Sequence, residues 1–222
     1  MSRLIVKVGG AVAGYAAAHI LELASRGNDV CVVHGAGPQI SAEMEARGLP
    51  VQWVGGRRVT GADAIEVVRE ALAAVNGALC RALAPKAIGL LGDEIGLQAA
   101  QVPSLGLVGD PVPTPLPALE DAMAGGLIPV VAPIARGPLN VNADEAAAAI
   151  AVSLEAERIF FLTDVPGLLL SGSVVPVIGA AEAEGLLERR DVDGGIVPKL
   201  RAAVTAARLG VRAEIGATAV VA

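Results

Sequence analysis

Apolar and polar positions along the chain alternate between two periods. Leu4-Ile5-Val6-Lys7-Val8 is a β-branched run that stops at Gly9-Gly10, and an alanine-rich helical stretch follows to about Arg26 before Gly27-Asn28. The pattern then repeats: a buried strand within Asp29 to His34, the turn Gly35-Ala36-Gly37-Pro38, and a helix to about Arg47. Strand, glycine turn and helix in succession predict parallel βαβ units. Val51 to Val54 and Gly55-Gly56-Arg57-Arg58-Val59 lead to a helix expected to start at Thr60, whose hydroxyl can cap it with Asp63 three residues on. Ile65, Val68, Leu72, Val75 and Leu79 give that helix one apolar stripe.

From Ala87 to Pro117 the pattern breaks into short strands, the turn Gly92-Asp93-Glu94-Ile95-Gly96 and a proline cluster, which read as hairpins and connections. A helix near Ala118 to Ala124 precedes a buried strand within Leu127 to Ile134. A helix from about Ala143, the strand Arg158 to Leu162, a glycine-rich connection and a helix from about Pro198 to Leu209 follow. Strand-like Val211 to Ile215 and Thr218 to Val221 close the chain. The expected fold is α/β, a three-layer αβα sandwich around a mainly parallel central sheet.

Composition narrows the function classes. With 222 residues, 54% hydrophobic and 18% charged, the chain can bury a sizeable core and is not disordered. The best membrane candidate, Leu4 to Ala24, is interrupted by Lys7, His19 and Glu22, and the lysine also argues against a signal peptide. Cys31 and Cys80, in apolar surroundings, read as reduced thiols of a cytoplasmic protein. A net charge of −6 and a single tryptophan, a single tyrosine and two phenylalanines argue against nucleic acid. An anionic ligand therefore needs a locally positive site.

Lysine usage points to one. Lys7, Lys86 and Lys199 are the only lysines among 17 basic residues, and two of them stand beside glycine-rich turns. No G-x-x-x-x-G-K-[ST] occurs, which excludes a Walker-type P-loop. Gly35-Ala36-Gly37 starts like a dinucleotide fingerprint, yet Ile40 occupies the third glycine position. Gly9-Gly10 and Gly35-Ala36 each stand where a strand gives way to a helix, so amides and helix dipoles can converge on an anion, although each alone is also an ordinary tight turn. Lys7, inside an apolar strand, must snorkel or meet a charge near Gly9-Gly10. Asn140-Val141-Asn142-Ala143-Asp144 fits a polar cluster or a simple N-cap, and Thr163-Asp164-Val165-Pro166-Gly167 can be a bare turn. Lys199 follows Asp193-Gly194-Gly195 at a helix start, where the dipole disfavours a cation unless an anion shares the site.

Taken in order, K-x-G-G, H-G-x-G-P, G-R-R-V-T, N-V-N-A-D, T-D-V-P-G and G-G-I-V-P-K resemble the amino acid kinase family, from Leu4 to about Gly210. Gly56 to Thr60 and Asn140 to Asp144 are similar to its N-acetylglutamate kinase branch. That resemblance implies ATP-dependent phosphorylation of the γ-carboxylate of N-acetyl-L-glutamate in arginine biosynthesis. It implies one domain over 1–222, with a lobe of about 1–135 for the acyl substrate and one of about 136–222 for ATP. Lys7 and Lys199 would stabilise the transferring phosphoryl group and Asp144 would orient both. Gly9 and Gly10 would contact ATP phosphates. Gly35 and Ala36 would contact the acylated amino acid, Arg58 its α-carboxylate and Asn140 its backbone. Asp164, Val165, Gly167, Leu168 and Leu169 would lie along the nucleotide, with Asp191 and Asp193 near it. Mg²⁺ would be held mostly by ATP oxygens, so no metal-ligating side chain is assigned. The substrate carboxylate, with a pKa of about 4.3, is ionised at neutral pH and needs no general base.

The chain departs from the family pattern at Ala36, which replaces the middle of three glycines. An alanine there requires a negative φ, since a positive one costs about 1 kcal/mol or more. The chain opens directly on its first strand, which implies a homodimer without arginine feedback. The competing readings are a related amino-acid or carrier-linked aminoadipate kinase, and a non-catalytic paralogue. The presence of Lys7, Asp144 and Lys199 argues against the last.

Overall fold

The computed structural model describes residues 2–9, 13–189 and 191–222. Its first half runs β1 (Arg3–Val8), α1 (Ala13–Ser25), β2 (Asp29–His34), α2 (Gly37–Ala46), β3 (Trp53–Val54), β4 (Arg57–Arg58), α3 (Ala62–Ala82) and β5 (Ala87–Leu91). Next come β6 (Gln98–Gln101), β7 (Val108–Val112), α4 (Pro117–Ala124), β8 (Ile128–Ala132), β9 (Ile134–Ala135) and β10 (Leu139–Val141). The remainder is α5 (Ala143–Ser153), β11 (Arg158–Leu162), β12 (Leu169–Leu170), β13 (Ser173–Val174), β14 (Val177–Gly179), α6 (Ala180–Arg189), α7 (Ile196–Arg208), β15 (Arg212–Ile215) and β16 (Thr218–Val221).

Eight strands form the central sheet in the order β14-β16-β15-β11-β1-β2-β8-β5. Every neighbouring pair is parallel except β15–β16, which turn back on each other through Gly216-Ala217. Strand alternation sorts the core into two layers. Val6 and Val8 pack with Ala16, Ile20, Leu79 and Leu83 of α1 and the α3 end, while Ile5 packs with the alanines of α5 and α7. Lys7 lies two residues beyond Ile5 and so projects toward α5. Buried Ala146, Ala147, Ala148, Ala149 and Ala151 on α5 and Ala202, Ala203, Ala206 and Ala207 on α7 let these helices approach closely. That approach brings their first turns together. Among the described residues no helix is long and apolar enough to cross a membrane.

A second sheet, β6-β7-β10-β9, and two short hairpins, β3–β4 and β12–β13, surround one end of the central sheet. In β3–β4 the linking residues Gly55 and Gly56 have φ of 58° and 82°, the backbone of a tight hairpin turn that glycine adopts without strain.

Four elements differ from the sequence expectation. β5 is no hairpin strand but the parallel edge of the central sheet beside β8. α6 lies inside what reads as a glycine-rich connection, because its buried face, Ala180, Ala183 and Leu186, is mostly small. β3–β4 pairs Trp53 with Arg58, where the sequence suggested only a run and a glycine turn. Thr60 does not cap α3, whose N-cap is Gly61 without a side-chain bond. The Thr60 hydroxyl instead donates to the Arg58 carbonyl at 3.1 Å and accepts from Asn140 Nδ2 at 2.9 Å. Tertiary partners displace the local cap.

Candidate active site

β1 and β11 are adjacent, yet the chain leaves β1 toward β2 on one side and leaves β11 toward β15 on the other. Loops at such a reversal part at the carboxyl ends of the strands and leave a crevice. A cavity of about 310 Å³ lies there, lined among others by Lys7, Gly9, Gly35, Ala36, Arg58, Asn140, Asp144, Asp164 and Lys199. The parallel register sets Lys7 beside Val33 and Val8 beside His34, so both glycine turns open on the same space.

The turns are stitched together. The Gly35 amide donates to the Val8 carbonyl at 3.1 Å, so it braces the loops and is not free for a ligand. Ala36, the N-cap of α2, has φ −140°, in accord with the negative φ that alanine requires. Behind the turn lies His34, fully buried, with Nε2 accepting from Asn76 Nδ2 at 3.1 Å. Burial lowers its pKa to about 4, so the imidazole is neutral at pH 7. It serves as packing for the loop rather than as a proton carrier.

One carboxylate holds two ammonium groups at the centre. Asn142 caps α5 by accepting from the amides of Asp144 at 2.8 Å and Glu145 at 3.3 Å. This sets Asp144 in the first helical turn, where the dipole favours an anion. Asp144 Oδ1 lies 2.8 Å from Lys7 Nζ, and Oδ2 lies 3.8 Å from Lys199 Nζ. Both the Lys7 and the Asp144 side chains are buried, so this close pair is little screened by water. Lys199 also donates to the Gly195 carbonyl at 3.3 Å. Burial pulls the Lys199 pKa below its ordinary value and Lys7 adds to this, while Asp144 and Asp164 oppose it. Two cations against one shared carboxylate leave positive charge facing the cavity.

The far wall carries Arg58, which is 3% exposed. Its Nη2 donates to the Gly37 carbonyl and to Ser41 Oγ, both at 2.8 Å, and its guanidinium lies 4.4 Å from the centre of the Trp53 ring. Among the described residues it has no carboxylate partner. Desolvation lowers its pKa, the mark of a buried charge without a counterion. Asn140, fixed by Thr60, stands on the same wall.

Several expected positions lie elsewhere. Gly10 falls outside the described residues. Asp191 and Asp193 are exposed and do not line the cavity, and Asp191 pairs instead with Arg189 at 2.9 Å. Leu168 is buried, its amide donating to Thr218 Oγ1 at 2.8 Å, and Gly167 packs so closely that a Cβ would meet that same oxygen at 2.6 Å. Leu169 is exposed on the β12–β13 hairpin, and neither it nor Val165 lines the cavity. Asp164 does line it, together with Thr163. Sequence reasoning missed Trp53 and Arg57, both of which line the cavity. The Gly-Gly pair between apolar and basic positions is a hairpin signal that finds them.

Residues 2–216 match the sequence model of the amino acid kinase family. The chain belongs to the amino acid kinase family. A protein named acetylglutamate kinase from Rubrobacter xylanophilus is 44% identical, across 97% of this chain and 88% of that protein. Another of that name, from Thermus thermophilus, is 39% identical, across 93% and 87%. Among solved structures, smu.665 from Streptococcus mutans superposes with a TM-score of 0.90 at 26% identity, across 99% and 98%. Carbamate kinase from Giardia lamblia shares the amino acid kinase fold, with a TM-score of 0.73 at 14% identity, across 99% and 98%. Membership of a kinase family implies a nucleotide substrate.

Proposed function

We propose that the chain transfers the γ-phosphoryl group of ATP to the γ-carboxylate of N-acetyl-L-glutamate, giving N-acetylglutamyl 5-phosphate and ADP in arginine biosynthesis. The observation that carries this reading is Arg58, buried without a carboxylate partner among the described residues and lining the same cavity as Lys7 and Lys199. Its charge, held by neutral partners and met by no carboxylate among the described residues, suits the substrate α-carboxylate, and Asn140 suits the neighbouring amide. The sequence relatives named acetylglutamate kinase support the same acceptor.

One oxygen of the ionised γ-carboxylate attacks the γ-phosphorus. The bond from phosphorus to the β-phosphate oxygen breaks, and its electron pair leaves with ADP. No proton moves, so the residues need only align two anions and screen their repulsion. Lys7 and Lys199 supply that charge, and Asp144 holds both ammonium groups in place. Gly9 borders the phosphates, while Ala36 and the first amides of α2 border the acceptor. The described acidic side chains lining the cavity, Asp144 and Asp164, both act on Lys199, which suits a metal held through the nucleotide. Mg²⁺ bound to ATP oxygens supplies further charge neutralisation.

In this reading residues of about 1–135 form most of the acceptor wall and those of about 136–222 most of the nucleotide wall, with Asn140 crossing between them. The free thiols Cys31 and Cys80 support a cytoplasmic location. Sedimentation velocity tests the accompanying proposal of a homodimer. ADP release measured in parallel with N-acetylglutamate, glutamate, aspartate and N-acetylaminoadipate tests the activity. Release fastest with N-acetylglutamate is expected, and faster release with any of the others overturns the assignment.

A further inference from the structure

The β3–β4 hairpin that carries Arg58 is short, with two residues in each strand, and both strand residues of β3 are exposed. A ribbon of that size does not hold a position by its own hydrogen bonds. Something outside it must set where Arg58 stands.

Arg57, next to Arg58 on β4, borders the cavity but sends its guanidinium to Glu145 and Asp110 rather than to α2, where Arg58 is held. Arg57 Nη2 and Nε both donate to Glu145 Oε1, at 2.9 Å and 3.2 Å, and its Nη1 pairs with Asp110 in the middle of β7. The Arg57 and Glu145 side chains are 22% and 14% exposed, so water screens this contact less than a surface pair. The second Glu145 oxygen, Oε2, is buried with no hydrogen-bond partner, so among the described residues Arg57 is the side chain that hydrogen-bonds this carboxylate. Asn142 adds a weaker tie, its Nδ2 donating to the Gly56 carbonyl at 3.4 Å. Glu145 directly follows Asp144, the residue that holds both lysines.

We infer that Arg57 is a positioning residue: with Glu145 and Asp110 it clamps the hairpin to the start of α5 and thereby fixes Arg58 and Trp53 over the acceptor end of the cavity. The part of this inference that concerns the acceptor rests on the proposed kinase activity; the clamping of the hairpin does not. Asp110 at one side and Glu145 at the other triangulate the guanidinium, which a single ion pair cannot do.

Trp53, the only tryptophan, stands on the hairpin and reports on it directly. The experiment compares the wild-type chain with Arg57→Met and Arg57→Lys by acrylamide quenching of Trp53 without ligand, and by KM for N-acetylglutamate and for ATP. Arg57→Met is expected to raise the quenching constant about twofold and the acceptor KM about tenfold, with ATP KM changed by less than about twofold. Arg57→Lys is expected to recover part of both, since an ammonium restores the charge but not the fork. Unchanged quenching in Arg57→Met, or an equal rise of both KM values, overturns the inference. Should Arg57→Met not fold, Arg57→Lys decides alone: a smaller but measurable rise in quenching supports the clamp and none overturns it. A wild-type chain inactive on N-acetylglutamate would remove the activity reading, and the quenching comparison would still decide the clamp.

Discussion

The wall that carries Arg58 and the wall that carries Lys199 are built on opposite plans. On the first, Arg58 is tied to Gly37 and Ser41 and stacked on Trp53, while Asn140 is tied to Thr60. Thr60 is itself gripped through its backbone by Leu105 and Leu107, at 3.0 Å and 2.7 Å. On the second, Lys199 has a 3.3 Å bond to Gly195 and a 3.8 Å approach to Asp144, and the neighbouring Asp191, Asp193 and Leu169 are exposed. A wall with its groups locked can read the shape of a small acid. A wall whose cation leans on one carboxylate and one carbonyl reads charge, which a polyphosphate presents in any pose. Under the proposed function the contrast assigns discrimination to the wall of Arg58 and electrostatic drive to that of Lys199.

The harshest way to break the contrast is to remove the lysines. Lys7→Ala and Lys199→Ala should each lower turnover by about 10² or more, because each takes charge stabilisation from the transition state. Steady-state turnover with near-normal values in either variant would sink the assignment. Lys7→Ala should also cost about 3 kcal/mol in denaturant melts, since it strips the nearer partner from a buried carboxylate. Lys199→Ala, the longer contact, should cost less.

Arg58→Ala separates the walls. Loss of a charged hydrogen-bonding group should raise the acceptor KM by about 10- to 100-fold and move the ATP KM far less. An equal loss for both ligands would show that Arg58 only holds the fold.

A pH profile sharpens the comparison further. Burial lowers the Lys199 pKa beneath the ordinary 10.5. The sign follows directly: as pH rises, Lys199 gives up its proton earlier than a free lysine, and positive charge leaves the cavity. kcat/KM should therefore fall on an alkaline limb below that value, and Lys199→Arg should displace the limb upward. A limb that does not move would assign the titration to another group.

The smallest effect belongs to Ala36. Its φ of −140° is outside the left-handed region that penalises alanine, so Ala36→Gly relieves no left-handed strain. Substrate preference should stay the same and the acceptor KM should shift by less than about tenfold. If Ala36→Gly gains acetylglutamate kinase activity that the parent lacks, the parent's substrate is a different acid.

Much of this was legible in the residues. β1, β2 and the turns after them announce themselves through β-branched runs ending in glycine, and Lys7 stands out because an ammonium in such a run needs a partner. The rest depends on contacts between distant segments. Thr60 and Asp63 satisfy a capping signature, yet the hydroxyl is spent on Arg58 and Asn140, which no local rule sees. The run Leu168-Leu169-Leu170 does not say which leucine turns inward; the Thr218 hydroxyl decides it by accepting the Leu168 amide. The stripe of α6 is built from alanine, too faint a periodicity to separate from a loop. Arg57 looks like a second copy of Arg58 until Glu145 and Asp110 take its guanidinium.

One short segment ends up with an unusual constraint on its length. Asn140 stands on the wall of Arg58, Asn142 caps α5 and reaches the hairpin turn, Asp144 gathers the lysines, and Glu145 receives Arg57. These four residues fall within six consecutive positions, numbers 140 to 145, at fixed spacing. A single inserted residue would put all of them out of step together, and no repacking of one partner would restore the others. At Ser171-Gly172, the tip between β12 and β13, a Cβ added to Gly172 meets nothing within 4 Å, so an extra residue there has room. Over the history of such a chain, changes in length should accumulate at that tip, and the stretch from Asn140 to Glu145 should change only by exchange of side chains.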